Sequence, residues 1–529
     1  MKKLAIIPIL VITLLSIVSF RMIKDRAIDY DVELGNTAIP KYDSLEISFK
    51  HVHDNSKTLP FMASSVIDID NDGVEEVFLG GGIAQEDHLY KFENGKFTEL
   101  NNVLTNKTGA ETTYGSIAFD TDYDGDIDLL IARESGVWLY QNNNGSFKAQ
   151  LLNAKMPSDS VPLSIAVADI NRDGAYDMYV SGYIKKELVE GQNIFNKEGY
   201  GGTSLLFINK GNNSFEDVTD KFGLLYKHNT FQGVFVDLDN DGYEDLVVAH
   251  DTGQVRTWKN QAGAKFINMP NPNSEQYSYP MGIAVSDYNN DGLVDLFFSN
   301  VGSTPPTFIV TGDLRDDQYF NRKWIMFKNL GGFKFQDVAE EVKLADYEFS
   351  WGAIFEDLNL DGLDDLIVSE NYISFPPHKP KFLRLPGRVL VQNENNEFAA
   401  IEKQAGVENY RYSISPIAAD FNQDGAPDFI HANIGGKSKA FISKKPLGNF
   451  LKVKLPNNVK STGARVMLRR SDGKTLHQRW VVGEGLCSDS SHTLIFGLAN
   501  NSVSELEVRY LDGRVEKKEG VASNSTVIF

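Results

Sequence analysis

Cysteine is almost missing from this 529-residue chain: Cys487 stands alone, so no intramolecular disulfide and no cysteine-based zinc site can form. Basic charge is also short. The net charge of −20 argues against nucleic acid or an anionic membrane surface as partner. The sequence has no Gly-x-Ser-x-Gly elbow, no His-Glu-x-x-His helix and no phosphate-binding glycine loop, and its nine histidines show no ligand spacing. Gly80-Gly81-Gly82 reads as a tight turn. What remains is a folded composition, 42% hydrophobic and 11% aromatic, with 44 glycines that suit a turn-rich β fold.

The acidity is concentrated in one repeated unit. Asp237-Leu-Asp239-Asn-Asp241-Gly242-Tyr243-Glu-Asp245 places carboxylates at positions 1, 3, 5 and 9 of a loop with glycine at position 6. A hard divalent cation such as calcium takes six to eight oxygens at roughly 2.3–2.6 Å, and alternate side chains of a tight loop converge on one point. The carbonyl of position 7 can add one more oxygen. Six other copies follow the same rule. Loop 1 offers Asp68, Asp70, Asp72, Val74 and Glu76; loop 2 offers Asp120, Asp122, Asp124, Asp126 and Asp128. Loop 3 has Asp169, Asn171, Asp173, Ala175 and Asp177; the unit above, with Asp237, Asp239, Asp241, Tyr243 and Asp245, is loop 4. Loop 5 has Asp287, Asn289, Asp291, Leu293 and Asp295, and loop 6 has Asp357, Asn359, Asp361, Leu363 and Asp365. Loop 7 has Asp420, Asn422, Asp424, Ala426 and Asp428. Seven bound divalent ions would bring the net charge to about −6, a moderate value for a soluble protein. Loops 1, 2 and 4, with four carboxylates each, are expected to bind tightest. EF-hands are excluded, because position 12 is an apolar strand residue in six copies and His431 in the seventh.

Each loop sits between a small-residue strand such as Gly233-Val-Phe-Val and an apolar strand such as Leu246-Val-Val. A third strand runs to an Asn/Gly hairpin, and a fourth begins at Phe97, Phe147, Phe215, Phe266, Phe335 or Phe398. Four strands per repeat, recurring every 49 to 70 residues, predict an all-β fold: a seven-bladed β-propeller with calcium loops over residues 42–448. The seventh fourth strand is supplied by Leu45-Glu-Ile-Ser-Phe, ahead of loop 1, which would close the ring. Residues 449–529 lack the acidic motif and alternate in short strands, as in a small β-sandwich-like domain.

At the start, Lys2 and Lys3 precede an apolar run over residues 4–20. It reads as an export signal, and a cleaved signal peptide and an uncleaved membrane anchor both stay open. Residues 21–41 read as a linker. The protein is therefore expected outside the cytoplasm, periplasmic, at the cell surface or secreted.

The seven loops resemble FG-GAP/VCBS repeats, the blades of integrin α-subunit-like propellers. Ser461-Thr-Gly-Ala-Arg-Val466, Gly483-Glu-Gly485, Phe496-Gly-Leu498 and Tyr510-Leu-Asp-Gly513 resemble the ASPIC/UnbV domain, although Tyr510 stands where that pattern usually has Trp. The pair together is similar to bacterial relatives of cartilage acidic protein. The resemblance implies calcium-bound blades and an extracellular, non-catalytic role in binding protein or carbohydrate, as in adhesion; it implies no reaction.

A second reading is an extracytoplasmic lyase or hydrolase acting on a surface polymer, and a third is a membrane-anchored accessory to assembly. The enzyme would use long insertions on the face opposite the loops, residues 181–203, 299–323 and 369–388, which carry Tyr183, Phe195, Tyr200, Tyr319, Phe320, Tyr372, Phe375 and His378, with Trp324 at the edge. In register five residues past each loop stand Arg133, His250, Asn300, Glu370 and Asn433, a candidate polar ring around a ligand mouth, with Asp251 and His431 beside it as candidates for a second metal site.

Overall fold

The computed structural model describes residues 30–101, 103–104, 111–189, 199–303, 314, 318–371 and 384–529. The expected leader over residues 1–20 lies outside them, as do Phe195, Tyr372, Phe375 and His378.

Among the described residues seven sheets of four antiparallel strands follow one another, the first of them extended to five by a parallel strand, Ser488–Asp489, from the C-terminal domain; in each the first strand lies toward the centre. The inner strands are Ser64–Ile67, Thr113–Phe119, Ser160–Ala168, Thr230–Val236, Ile283–Ser286, Ser350–Glu356 and Ser413–Ala419. Successive inner strands lie against one another, and Ser413–Ala419 also lies against Ser64–Ile67. The fold is thus all-β and propeller-like. Ser160–Ala168 is buried at every residue, because neighbours cover both its faces. The close approach explains the small residues read in these strands: a Cβ on Gly115 would stand 2.0 Å from the carbonyl oxygen of Leu163 in the next sheet.

Tyr42–Lys50 runs antiparallel to Lys437–Ser443, so the last sheet takes its outer strand from the start of the described chain. Apolar clusters fill the spaces between adjacent sheets; Ile170, Tyr179, Phe222, Phe235, Trp258 and Phe266 form one of them. Asn94-Gly95 and Asn144-Gly145 both adopt positive φ, as the two-residue turns joining third and fourth strands require.

The C-terminal domain has two sheets. Leu494–Ala499, Asn449–Lys454 and Ser525–Ile528 form one; Thr475–Arg479, Arg465–Arg470, Val503–Arg509 and Val515–Lys518 form the other. Leu451, Val453, Val466, Leu468, Phe496 and Val508 pack in the shared core, which continues into sheets 2 and 3. Sequence alternation carries the strand after the Asp472-Gly473 turn through Val482. In the structure it ends at Arg479, because the chain then leaves the sheet and enters the centre of the sheet array.

Candidate metal centres and the interdomain face

The seven acidic loops share one hydrogen-bond scheme that organises the carboxylates before any ligand is considered. The position-1 aspartate accepts from the N–H of the position-6 glycine, from 2.7 Å for Asp287 and Asp357 to 3.3 Å for Asp120. The position-5 aspartate accepts from the N–H of position 7, as Asp241 does from Tyr243 at 2.9 Å. The position-9 acid is a buried hinge. In loop 4, one oxygen of Asp245 accepts from Leu238 N at 2.9 Å and the other from Asn260 N, on the third strand, at 2.8 Å. The glycines take φ of +82° to +95°, where a side chain would be strained.

Position 4 was missed in the sequence. Asn71, Tyr123, Arg172, Asn240, Asn290, Leu360 and Gln423 all have φ between +54° and +66°. Five of them reach the position-6 carbonyl of the following loop: Asn71 to Gly125 at 3.2 Å, Tyr123 to Gly174 at 2.7 Å, Arg172 to Gly242, Asn290 to Gly362 at 3.2 Å and Gln423 to Gly73 at 3.1 Å. The readable signal was the preference of asparagine, present three times here, for left-handed backbone.

In loops 1, 2 and 4 three acids bring ligand oxygens within 4.8 Å of one another: Asp68, Asp70 and Glu76; Asp120, Asp122 and Asp128; Asp237, Asp239 and Asp245. Loops 3, 5, 6 and 7 have asparagine at position 3 and form no such all-acid group. The donor set fits a hard cation on a further observation. Asp68 Oδ1, Asp239 Oδ1 and Asp295 Oδ2 are buried with no hydrogen-bond donor, a costly state for an ionised carboxylate. Burial pushes the position-9 acids upward: Glu76 and Asp128 to about 7, Asp177 and Asp245 to about 8, Asp295 to about 9. The three four-acid loops differ in their neighbours. Lys91 lies 2.7 Å from Asp72 and 3.0 Å from Glu76, and Lys259 pairs with Asp239 and lies 3.1 Å from Asp241. The corresponding residue in sheet 2 is neutral: Gln141 donates to Asp122 at 2.5 Å.

The C-terminal domain covers this loop face. Lys452 pairs with Asp420, Lys454 stands 3.9 Å from Asp68, Arg470 donates to Asp361 O at 2.7 Å and Arg479 to Asn240 at 2.5 Å. Residues 483–491 descend into the centre and meet all seven inner strands. Ser488–Asp489 pairs in parallel with Ser64 and Ser65, Asp489 accepts from Ala118 N at 2.9 Å, and Gly483 packs on Ile165. Gln232 donates to Gly483 O at 3.1 Å, and Glu484 accepts from Val285 N at 2.8 Å. Gly485 lies against Ile354, and Ser488 meets Ser415 at 2.7 Å. Leu486 and Cys487 end in an apolar cluster with Phe61, Phe231 and Trp351, which fills the centre from the other side. The sequence showed Gly483-Glu-Gly485 only as a motif; its central position depends on the docking of two domains.

The candidate polar ring requires correction. Arg133 is buried, pairs with Asp87 and donates to the Tyr140 hydroxyl at 2.8 Å. His250 is buried between the Tyr226 hydroxyl, 2.9 Å from Nε2, and Gln254 O, 3.0 Å from Nδ1. Asn300 donates to the carbonyls of Asn321 and Lys323 at 3.0 and 2.8 Å. Glu370 is buried and accepts from Gly387 N at 3.1 Å, and Asn433 accepts from Asn409 at 2.9 Å. All five are buried: His250, Asn300, Glu370 and Asn433 satisfy backbone groups that follow their strands, and Arg133 is held by the side chains of Thr113, Asp87 and Tyr140. None faces an open mouth. Asp251 and His431 form no second metal site either. Asp251 accepts from Tyr183 and Thr252, and His431 faces the Ser369 hydroxyl at 3.0 Å. Of the insertion aromatics, Trp324 is fully buried, Phe320 packs on Tyr279, and Tyr319 is 67% exposed.

Residues 68–131, 120–180 and 237–298, which contain loops 1 to 5, match the FG-GAP-like repeat, and residues 455–529 match ASPIC and UnbV. Cartilage acidic protein 1 of Xenopus tropicalis is 22% identical over 507 residues, covering 88% of this chain and 72% of that protein. The human protein of that name is 22% identical over 295 residues, so the match spans 50% of this chain and 44% of the relative. Among solved structures, the V. cholerae biofilm matrix protein Bap1 aligns over 92% of this chain and 64% of its own, at 12% identity and a TM-score of 0.33. BBS1N, solved in complex with ARL6DN, aligns over 78% of this chain and 100% of its own, at 10% identity and a TM-score of 0.44. The chain thus carries FG-GAP-like repeats and a C-terminal ASPIC and UnbV domain, and is similar at low identity to cartilage acidic protein 1.

Proposed function

We propose that the protein is an exported, calcium-stabilised propeller that acts as a non-catalytic binding module for a protein or carbohydrate ligand. The FG-GAP-like and ASPIC/UnbV segments support an interaction module, and the acidic loops support the calcium. One observation carries the metal reading: buried carboxylate oxygens of Asp68, Asp239 and Asp295 point into the loops with no donor to satisfy them. Calcium bound there would supply positive charge and no covalent chemistry. The loops' own work is structural, since each position-9 acid joins its loop to the third strand of its sheet. Ligand recognition is placed on the face opposite the loops, where Tyr319 stands exposed beside the pairing of Gln276–Tyr277 with Tyr319–Phe320. Export rests on the charged, apolar start of the sequence.

The test is an array of glycans and extracellular proteins probed with the purified chain, with calcium and with excess chelator. Calcium-dependent capture that is lost in Tyr319→Ala supports the reading. Turnover of an arrayed polymer, or capture indifferent to Tyr319, contradicts it. Intact mass of the protein from its native membrane or medium decides between a cleaved signal and an anchor.

A further inference from the structure

Loop 3 and the C-terminal domain enclose a cleft of about 320 Å³. Its walls include Asp169 and Asp173 of loop 3, Glu244 from the next sheet, Asp512 of the C-terminal domain, and the cations Arg172 and Lys460. Glu244 occupies position 8 of loop 4, outside the alternating positions that converge within a loop. It is 2% exposed, and its Oε2 has no hydrogen-bond partner. The two cations are engaged elsewhere. Arg172 donates to Gly242 O and, at 3.0 Å, to Leu511 O while lying 3.9 Å over the Tyr243 ring; Lys460 lies 5.4 Å from the Tyr123 ring centre. Asp512 is held by Arg514 at 2.6 Å, and Asp169 and Asp173 accept hydrogen bonds within loop 3, so of these four acids Glu244 alone keeps a buried oxygen without a partner.

We propose that this cleft is a cation site of its own, taking a hydrated divalent ion anchored by Glu244 Oε2. A water occupies about 30 Å³ of liquid volume, so the cleft holds an ion together with most of a hydration shell. Hard cations accept such mixed shells of carboxylate and water oxygens. A carboxylate oxygen buried without a donor is costly, and a cation seated in the cleft would satisfy it. The cleft offers the cation room beside Asp169 and Asp173, which are loop 3's own ligands, whereas Glu244 lies outside the alternating positions of its loop. Such an ion would also bridge sheet 4 to the C-terminal domain, whose Thr462 and Leu511 line the same cleft.

The test is to soak crystals of the full chain in terbium and locate the ions by anomalous scattering, with native mass spectrometry to count calcium ions per chain. The expected result is a peak within about 2.6 Å of a Glu244 carboxylate oxygen. In Glu244→Gln that peak disappears and the count falls by one ion, while the loop peaks stay in place and show that the fold is kept. Filled loops with no anomalous density at Glu244 would overturn the proposal and leave the loop reading standing. A peak at Glu244 with bare loops would support the proposal and overturn the loop reading.

Discussion

Gln423 donates to the carbonyl of Gly73 at 3.1 Å, tying the last acidic loop to the first where the last repeat sheet meets the first. The same link recurs from Asn71 to Gly125 and from Asn290 to Gly362, so Gln423 is one member of a ring of contacts between successive loops. Between other neighbours the third strand adds a second tie: Asn260 donates to Ile170 O at 2.9 Å and Asn329 to Leu238 O at 2.8 Å, each reaching the preceding loop. The loops are thus bonded to each other as well as to their own sheets, and anything that orders one loop stiffens the joint with the next. Gln423→Gly tests this, since glycine accepts the positive-φ backbone and carries no amide to reach Gly73. The expected cost is about 0.5–1.5 kcal/mol in urea denaturation. An unchanged midpoint would show that the contact is incidental.

Removing calcium should lower the melting temperature, and adding it back should raise the temperature with the logarithm of free ion, as for any ligand of the folded state alone. The loops should not respond equally. Loop 2 combines four carboxylates with the neutral Gln141, whereas Lys91 and Lys259 already place positive charge on loops 1 and 4. Asp124→Asn is therefore expected to weaken calcium binding more than Asp424→Asn in loop 7, by calorimetric titration. Lys259→Gln should tighten loop 4 by about tenfold, equivalent to about 1.4 kcal/mol. A weaker loop 4 in that variant would mean that Lys259 shapes the loop instead of competing for it.

The acid spacing around one glycine made the seven loops legible, because the chemistry there is local: nine residues carry their own turn, ligands and following strand. The candidate ring was legible in register but not in burial. Asn300 and Glu370 are covered by Asn321, Lys323 and Gly387, which belong to the connections after their strands, and periodicity does not say where such connections fold back. Residues 483–491 escaped for the same reason on a larger scale. Their partners, from Ser64 to Ser415, are spread over the whole array, and only docking brings them together.

The position-9 acids predict an inverted pH dependence. In the chelated protein Asp245 is pushed up to about 8 and Asp295 to about 9 by burial, against an ordinary aspartate value near 4. Between those values the folded state holds protons that the unfolded chain has lost. The stabilisation is therefore complete below about pH 4 and lost as pH rises through about 7–9. Chelated protein should melt higher at pH 5.5 than at pH 8. Saturating calcium holds the ionised form, so the order should reverse. Parallel slopes with and without calcium would separate these carboxylates from metal binding.

The buried ring residues should behave as structural groups. Arg388 lies between Glu348, at 2.8 and 2.9 Å, and Glu402, at 2.5 Å, and its charge also acts on Glu370. Arg388→Met leaves these acids without their shared cation and is expected to cost about 3–5 kcal/mol. His250→Ala should also lower the melting temperature, because it removes a buried ring that contacts Tyr226 and His228. Loss of ligand binding at full stability in either variant would return these buried residues to candidacy as ligand contacts.

Gly483 is where the C-terminal domain commits to the centre of the array. Its φ is +79°, and a Cβ there would lie 2.6 Å from the carbonyl oxygen of Ile165, a backbone atom of a fully buried inner strand that cannot move aside cheaply. Gly483→Ala therefore combines left-handed strain of about 1–2 kcal/mol with a steric clash, and the segment's simplest relief is to withdraw. Withdrawal would give up the bonds of Gly483 with Gln232, of Glu484 with Val285 and of Asp489 with Ala118, and uncover Leu486 and Cys487. The expected result is a lower melting temperature together with faster proteolysis near residue 483 and labelling of Cys487 by thiol reagents, which the folded protein resists. Gly513→Ala, at a positive-φ turn with nothing within 4 Å of a built Cβ, supplies the control for strain without a clash. If Gly483→Ala lowers the melting temperature no further than Gly513→Ala and leaves Cys487 protected, residues 483–491 do not hold the two domains together.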